Sequence, residues 1–173
     1  MPPLDYSELT DEEAQRRFES FTASVPERAS ALRAEVGEDV LDLSPESLVA
    51  LWEWFVRREG SRGERGGNLP SWYLPDPPEV AAQRLSPATL RDVDAVGSYL
   101  AEVFLHNVDG AEWGIGKLPK KMKYVNQNKP VVKIGDHDID PIGVVYANAV
   151  RVALMNTGQE PDALLRAYRM NLV

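Results

Sequence analysis

The pairs Ser44-Pro45, Ser86-Pro87, Asp140-Pro141 and Glu160-Pro161 set the punctuation of this chain. A Ser or Asp oxygen can accept from the free amides of a helix's first turn. A proline at the first helical position forfeits nothing, because its nitrogen would have had no intrahelical acceptor. Each pair predicts a helix opening there, and apolar residues near a 3.6 period follow. After Ser44 come Leu48, Leu51, Trp52 and Phe55 on one face, with Val49 and Val56 beside them, Trp54 turned away and Gly60 at the end. After Ser86 come Leu90, Val93, Val96, Leu100, Val103 and Phe104, to about Asn107. Gly97 interrupts good helix chemistry there, which signals close approach of another backbone. Tyr99 and Glu102 fall near the opposite face. After Asp140 come Ile142, Val144, Val145, Tyr146, Ala149 and Val152, apolar nearly all round, so this helix is expected to run through the core until Asn156-Thr157-Gly158. Leu164, Leu165 and Tyr168 mark a short last helix.

Near the start, Thr10-Asp11-Glu12-Glu13 has the form of a capping box, followed by Ala14, Phe18 and Phe21. Val25-Pro26 is expected to interrupt this helix, with a second one running to Val36 before Gly37. Strands are expected over Glu112 to Ile115, Met122 to Asn126 and Val131 to Ile134, the last two joined by Gln127-Asn128-Lys129-Pro130. The fold class is therefore α+β: a mainly helical single domain over residues 1–173 with a small two- or three-stranded antiparallel sheet. Residues 60–78 read as a flexible loop. Gly60, Gly63, Gly66 and Gly67 are followed by Pro70, Pro75, Pro77 and Pro78 around Trp72 and Tyr73, a connector or a loop that closes over a partner.

Charge is distributed unevenly. All six lysines, Lys117, Lys120, Lys121, Lys123, Lys129 and Lys133, lie between Trp113 and Gly135, a stretch without Asp or Glu. The chain carries −8 overall, so the remainder without these lysines carries −14. Elsewhere the basic residues are all arginine, a bias expected of a G+C-rich bacterial coding background. A globally acidic surface repels nucleic acid, which makes a nucleic-acid partner unlikely. Apolar runs are too short for a membrane span. The acidic start resembles no signal peptide, so cytoplasmic residence is the expectation. Without cysteine there are no disulfides or thiolate metal sites.

Gly97-Ser98-Tyr99-Leu100-Ala101-Glu102-Val103 on a helix, Glu112-Trp113-Gly114 on a strand and Asp140-Pro141 opening a long helix follow in order. Over residues 95–170 this order resembles several small actinobacterial families of unknown function. Those families carry no established activity onto individual residues. By analogy, the resemblance implies a toxin-neutralising or partner-binding module. The lysine-rich segment goes beyond the shared pattern.

Chemistry has one candidate constellation. In an extended segment Asp136, Asp138 and Asp140 would point one way and offer oxygens to Ca²⁺ or Mg²⁺, with His137 between them for acid–base work. The segment lacks the glycine and glutamate of an EF-hand, and Asp140 already serves as an N-cap. The other reading is a polar link from strand to helix. His106 suits a helix C-terminus, and His137 could meet Glu102 or Glu112 in space. Serine-nucleophile, zinc-protease, phosphate-loop and dinucleotide patterns are absent. The expected function is thus non-enzymatic protein binding, without a cofactor, of the immunity or adaptor kind. Its site would be Lys117, Lys120, Lys121, Lys123, Tyr124, Lys129 and Lys133 on a hairpin, with Trp72 and Tyr73 as aromatic anchors. The partner would be a protein with an acidic surface, or a second copy docking its acidic helices there. Exposed lysines also keep strand edges from pairing with other chains. The alternative is a small metal-dependent hydrolase or other enzyme centred on Asp136, His137 and Asp138.

Overall fold

The structure is a computed structural model, described here for residues 6–61, 70, 85–118, 124 and 126–173. A 3-10 turn at Tyr6–Glu8 leads into α1 (Asp11–Val36), α2 (Ser47–Gly60) and α3 (Pro87–Asn107). Strands β1 (Glu112–Ile115), β2 (Pro130–Ile134) and β3 (His137–Ile139) follow, and α4 (Pro141–Met155) and α5 (Ala163–Met170) close the chain. The arrangement is mainly helical α+β with one three-stranded antiparallel sheet in the order β1-β2-β3. Among the described residues no helix is long and apolar enough to cross a membrane.

The caps act as their chemistry predicts. Thr10 Oγ1 accepts from the Glu13 amide at 3.2 Å while Glu13 Oε2 accepts from Thr10 N at 2.8 Å, completing the capping box. Ser86 caps α3, and Asp140 caps α4 by accepting from Gly143 N at 2.8 Å. Ser44 accepts from Ser47 N, but residues 45 and 46 form a turn first and α2 begins at Ser47.

Pro26 does not break α1. A proline inside a helix costs about 3 kcal/mol through its missing donor and its ring clash. Against this, Phe21, Val25, Ala29 and Leu32 form one buried face continuing past it. Burying each large apolar side chain is worth roughly 1.5–3 kcal/mol, so packing outweighs the local penalty.

Helix α3 is the centre of the molecule and packs chiefly on α4 and α1. It is buried on nearly every side, so Tyr99, expected near an outer face, is fully buried. Its hydroxyl accepts from Leu43 N at 2.9 Å and bonds Ser47 Oγ at 2.8 Å. The close approach foretold by Gly97 is to α4: a Cβ there would stand 2.5 Å from Ile142 Cδ1 and 3.2 Å from Ile142 Cα. Helix α4 is not surrounded as expected. Ile142, Val145, Tyr146 and Ala149 face the core, while Ala147, Leu154 and Met155 are exposed. Trp54 is half-buried, with the Arg58 guanidinium 5.1 Å from its ring centre.

In the sheet, Trp113, Val132 and Ile139 form one row across the three strands. Val132 and Ile139 enter the core, and Trp113 meets Phe21 of α1 edge-on at 5.7 Å between ring centres. The adjacent row, Glu112, Lys133 and Asp138, faces the other way because side chains alternate along a strand.

Candidate functional site

The lysine-rich segment is the long connection from β1 to β2 together with β2 itself. Its two ends are tied to each other: Gly116 N donates to Lys129 O at 2.9 Å and Asn128 N to Gly116 O at 2.7 Å. A side chain at Gly116 would collide with the Asn126 carbonyl, so the bare backbone is required there. Asn128 takes a left-handed conformation with φ of 63°, which asparagine tolerates better than most residues. It is buried, and its side-chain amide donates to Tyr6 O at 2.9 Å and to Leu9 O at 3.1 Å. One residue thereby stitches the connection to the N-terminal turn.

Each of the three described lysines reaches an aspartate of this chain. Lys117 Nζ lies 3.0 Å from Asp11 Oδ1 at the start of α1, and both side chains are well exposed, so this pair contributes little. Lys133 Nζ lies 3.2 Å from Asp138 Oδ1, its cross-strand partner, and its stem runs over Gly114, where a Cβ would collide with it. Lys129 Nζ lies 3.1 Å from Asp140 Oδ2, with side chains only 10% and 16% exposed. Lys129 was expected on an open hairpin surface and is instead buried, because the turn before β2 folds it inward onto the start of α4.

Tyr124 and Asn126, expected in a strand, lie in none; Tyr124 is half-buried and Asn126 begins a turn. The Tyr124 hydroxyl donates to Asp138 Oδ2 at 2.6 Å and Asn126 Nδ2 donates to Asp138 O at 3.1 Å. Burial, together with this bond to a carboxylate, pushes the Tyr124 phenol up to about 12. Such a phenol is no general base near neutral pH; it holds Asp138 in place. Lys120, Lys121, Lys123, Trp72 and Tyr73 lie outside the described residues.

The raised Tyr124 ionisation has a measurable consequence. A group whose pKa is higher in the folded chain stabilises it below its unfolded value near 10, and that contribution is lost as pH rises towards 12. Tyr124→Phe should cost about 1 kcal/mol at neutral pH. It should also flatten the fall in urea midpoint between about pH 10 and 12 that the parent protein shows. Urea titrations of both proteins across that interval check this.

The aspartates do not form one cluster. Asp136 is exposed in the turn between β2 and β3, Asp138 is held by Lys133 and Tyr124, and Asp140 by Lys129 and Gly143. The segment expected as a polar link is a tight hairpin turn followed by β3. Among the described residues no three His, Asp or Glu side chains are grouped so as to hold a metal ion. His106 lies in the last turn of α3 and His137 opens β3, both exposed. Glu112 and His137 sit on the two outer strands with β2 between them, roughly 10 Å apart by strand spacing.

A groove of about 410 Å³ lies beside this assembly, lined by Tyr6, Leu9, Glu13, Arg16, Arg17, Ser20 and Pro130. Tyr6 is buried, and its phenol is pushed well above the ordinary tyrosine range. The cause is burial first, then the carboxylate of Asp140, opposed by Arg17 and reinforced by Asp94. Neither Tyr6 nor Arg17 carries a signal in the sequence. Asn128 is legible only as part of the Gln127–Pro130 link between strand candidates, and the structure gives it the left-handed backbone. Comparison with protein-family models, with characterised proteins and with solved structures finds no match to this chain.

Proposed function

We propose that the chain is a non-enzymatic, cytoplasmic partner-binding protein, of the immunity or adaptor kind, that recognises a protein with an acidic surface. The observation that carries the reading is a connection without a single acid, bearing lysines on an acidic molecule, and fastened to the body at both ends. Fastening limits the conformational entropy lost when a partner binds. Cationic side chains on an anchored segment favour encounter with an acidic protein and fix its orientation. Lys129 and Lys133 hold the segment down, Lys117 adds little to that, and Lys120, Lys121 and Lys123 are assigned to the partner. The hydrolase alternative draws no support from Asp138 and Asp140, whose carboxylates each have their own lysine.

The test is titration of labelled polyglutamate, as an acidic stand-in, against the full chain over a range of salt. The expected Kd rises steeply with salt and worsens at least about tenfold in Lys120→Glu, Lys121→Glu, Lys123→Glu combined, with the salt dependence flattened. Equal affinity and equal salt dependence in the two proteins would overturn the proposal.

A further inference from the structure

We infer that the open edge of β1 pairs antiparallel with the same edge of a second copy of this chain, joining the two sheets into one. This goes beyond the partner-binding reading and makes no use of the lysine side chains. The end of β1 fixes which way its main-chain groups point. Gly116 N donates to Lys129 O and Gly116 O accepts from Asn128 N, so the main chain of Gly116 faces β2. Main-chain groups alternate sides along a strand, so those of Gly114 and Glu112 face β2 as well, opposite Val131 and Lys133. Those of Trp113 and Ile115 point away from the sheet. Among the described residues no group donates to or accepts from them. The opposite edge is treated differently: Asp138 O, which faces outward from β3, accepts from Asn126 Nδ2 at 3.1 Å.

The edge is self-complementary in one register. A two-fold axis through Gly114 sets Trp113 opposite Ile115 of the second copy, and Ile115 opposite its Trp113. Each copy then uses both outward amides and both outward carbonyls. A register centred on Trp113 would need the Ala111 amide, which already donates to Val108 O at 3.1 Å. One centred on Ile115 would run past the end of the strand. The side chains suit the same register. Trp113 and Ile115 are half-buried on the face that meets α1, and an aromatic opposite a β-branched residue is a favourable cross-strand pair. On the other face Gly114 meets Gly114 of the second copy and Glu112 meets its Gly116, so no like charges stand opposite. Lys133 lays its stem over Gly114, but its ammonium is drawn to Asp138 Oδ1 at 3.2 Å, away from the edge. Strand β1 itself holds no lysine or proline of the kind that blunts open edges.

The experiment is analytical sedimentation of the full chain from about 5 to about 500 µM, where a monomer–dimer equilibrium is expected. Double electron–electron resonance on Glu112→Cys carrying a nitroxide then reads the register. The chain has no cysteine of its own, so the label occupies one position. Glu112 of one copy lies four residues along the strands from Glu112 of the other, which sets their Cα atoms roughly 14 Å apart and the labels within about 30 Å. Ile115→Pro removes an outward donor that serves no bond within the chain, a place where an edge strand accepts proline. It should raise the dimer Kd at least about tenfold. Where that variant misfolds, amide exchange in the parent decides. The Trp113 and Ile115 amides should exchange at least about tenfold more slowly at about 500 µM than at about 20 µM. A monomer throughout, a dimer that folded Ile115→Pro leaves intact, labels beyond about 30 Å, or exchange independent of concentration overturns the inference.

Discussion

Asp140→Ala is expected to destabilise the fold by about 3–5 kcal/mol, because it leaves a buried ammonium without its counter-charge. Asp140 does two things with one carboxylate. Oδ1 accepts from Gly143 N at 2.8 Å and closes the first turn of α4, while Oδ2 receives Lys129 Nζ at 3.1 Å. Loss of the cap alone would cost roughly 0.5–2 kcal/mol. The larger effect comes from Lys129, whose side chain is only 10% exposed and cannot recover water without moving the turn before β2. Two further variants separate the contributions. Asp140→Ser keeps a capping oxygen but strands the lysine, and should remain strongly destabilised. Lys129→Met with Asp140→Ser removes both charges and keeps the cap, and should recover most of the loss. Urea midpoints of the four proteins decide it. A double variant no better than Asp140→Ser would show that the lysine is not stranded.

Trp52→Ala should cost a similar amount, about 3–5 kcal/mol, by opening a cavity in the core. Trp52 is fully buried in α2 and stacks on Phe55 with ring centres 4.7 Å apart and planes 10° apart. Its Nε1 donates to Gly158 O at 2.9 Å, tying α2 to the turn between α4 and α5. Gly158 has φ of 79°, so that turn depends on a residue without a side chain. Trp52→Phe keeps most of the ring volume but strands the Gly158 carbonyl, and should cost about 1–3 kcal/mol. Thermal and urea unfolding give the comparison; equal losses in the two variants would mean that the hydrogen bond, rather than the cavity, dominates.

What could be read from the sequence was local. The capping box at Thr10, the caps at Ser86 and Asp140, and the packing glycine at Gly97 each rest on chemistry within a few residues. The sheet was legible as antiparallel and small, but only in part by position. β3 is three residues long and its His137 and Asp138 look like turn residues, since one face of the strand is polar. Pro26 misled for the opposite reason: its cost is local, while the burial that offsets it lies along the whole face of α1 against other elements. The site was least legible. Lys117 and Asp11 are 106 positions apart, and Asn128 and Tyr6 are 122 apart. No spacing rule reaches across such distances, so lysines that read as one open surface include Lys129 and Lys133, which hold the fold through their own aspartates.

Two variants measured side by side test the proposed split between lysines that hold the fold and lysines that meet a partner. One replaces Lys129 and Lys133 by methionine; the other replaces Lys120, Lys121 and Lys123 by methionine. Melting temperature and affinity for labelled polyglutamate are read on both, below the melting point of each. The first should lose stability and keep most of its affinity, while the second should keep its melting temperature and lose affinity at least about tenfold. The reverse pattern, or equal losses of affinity in both, would contradict it.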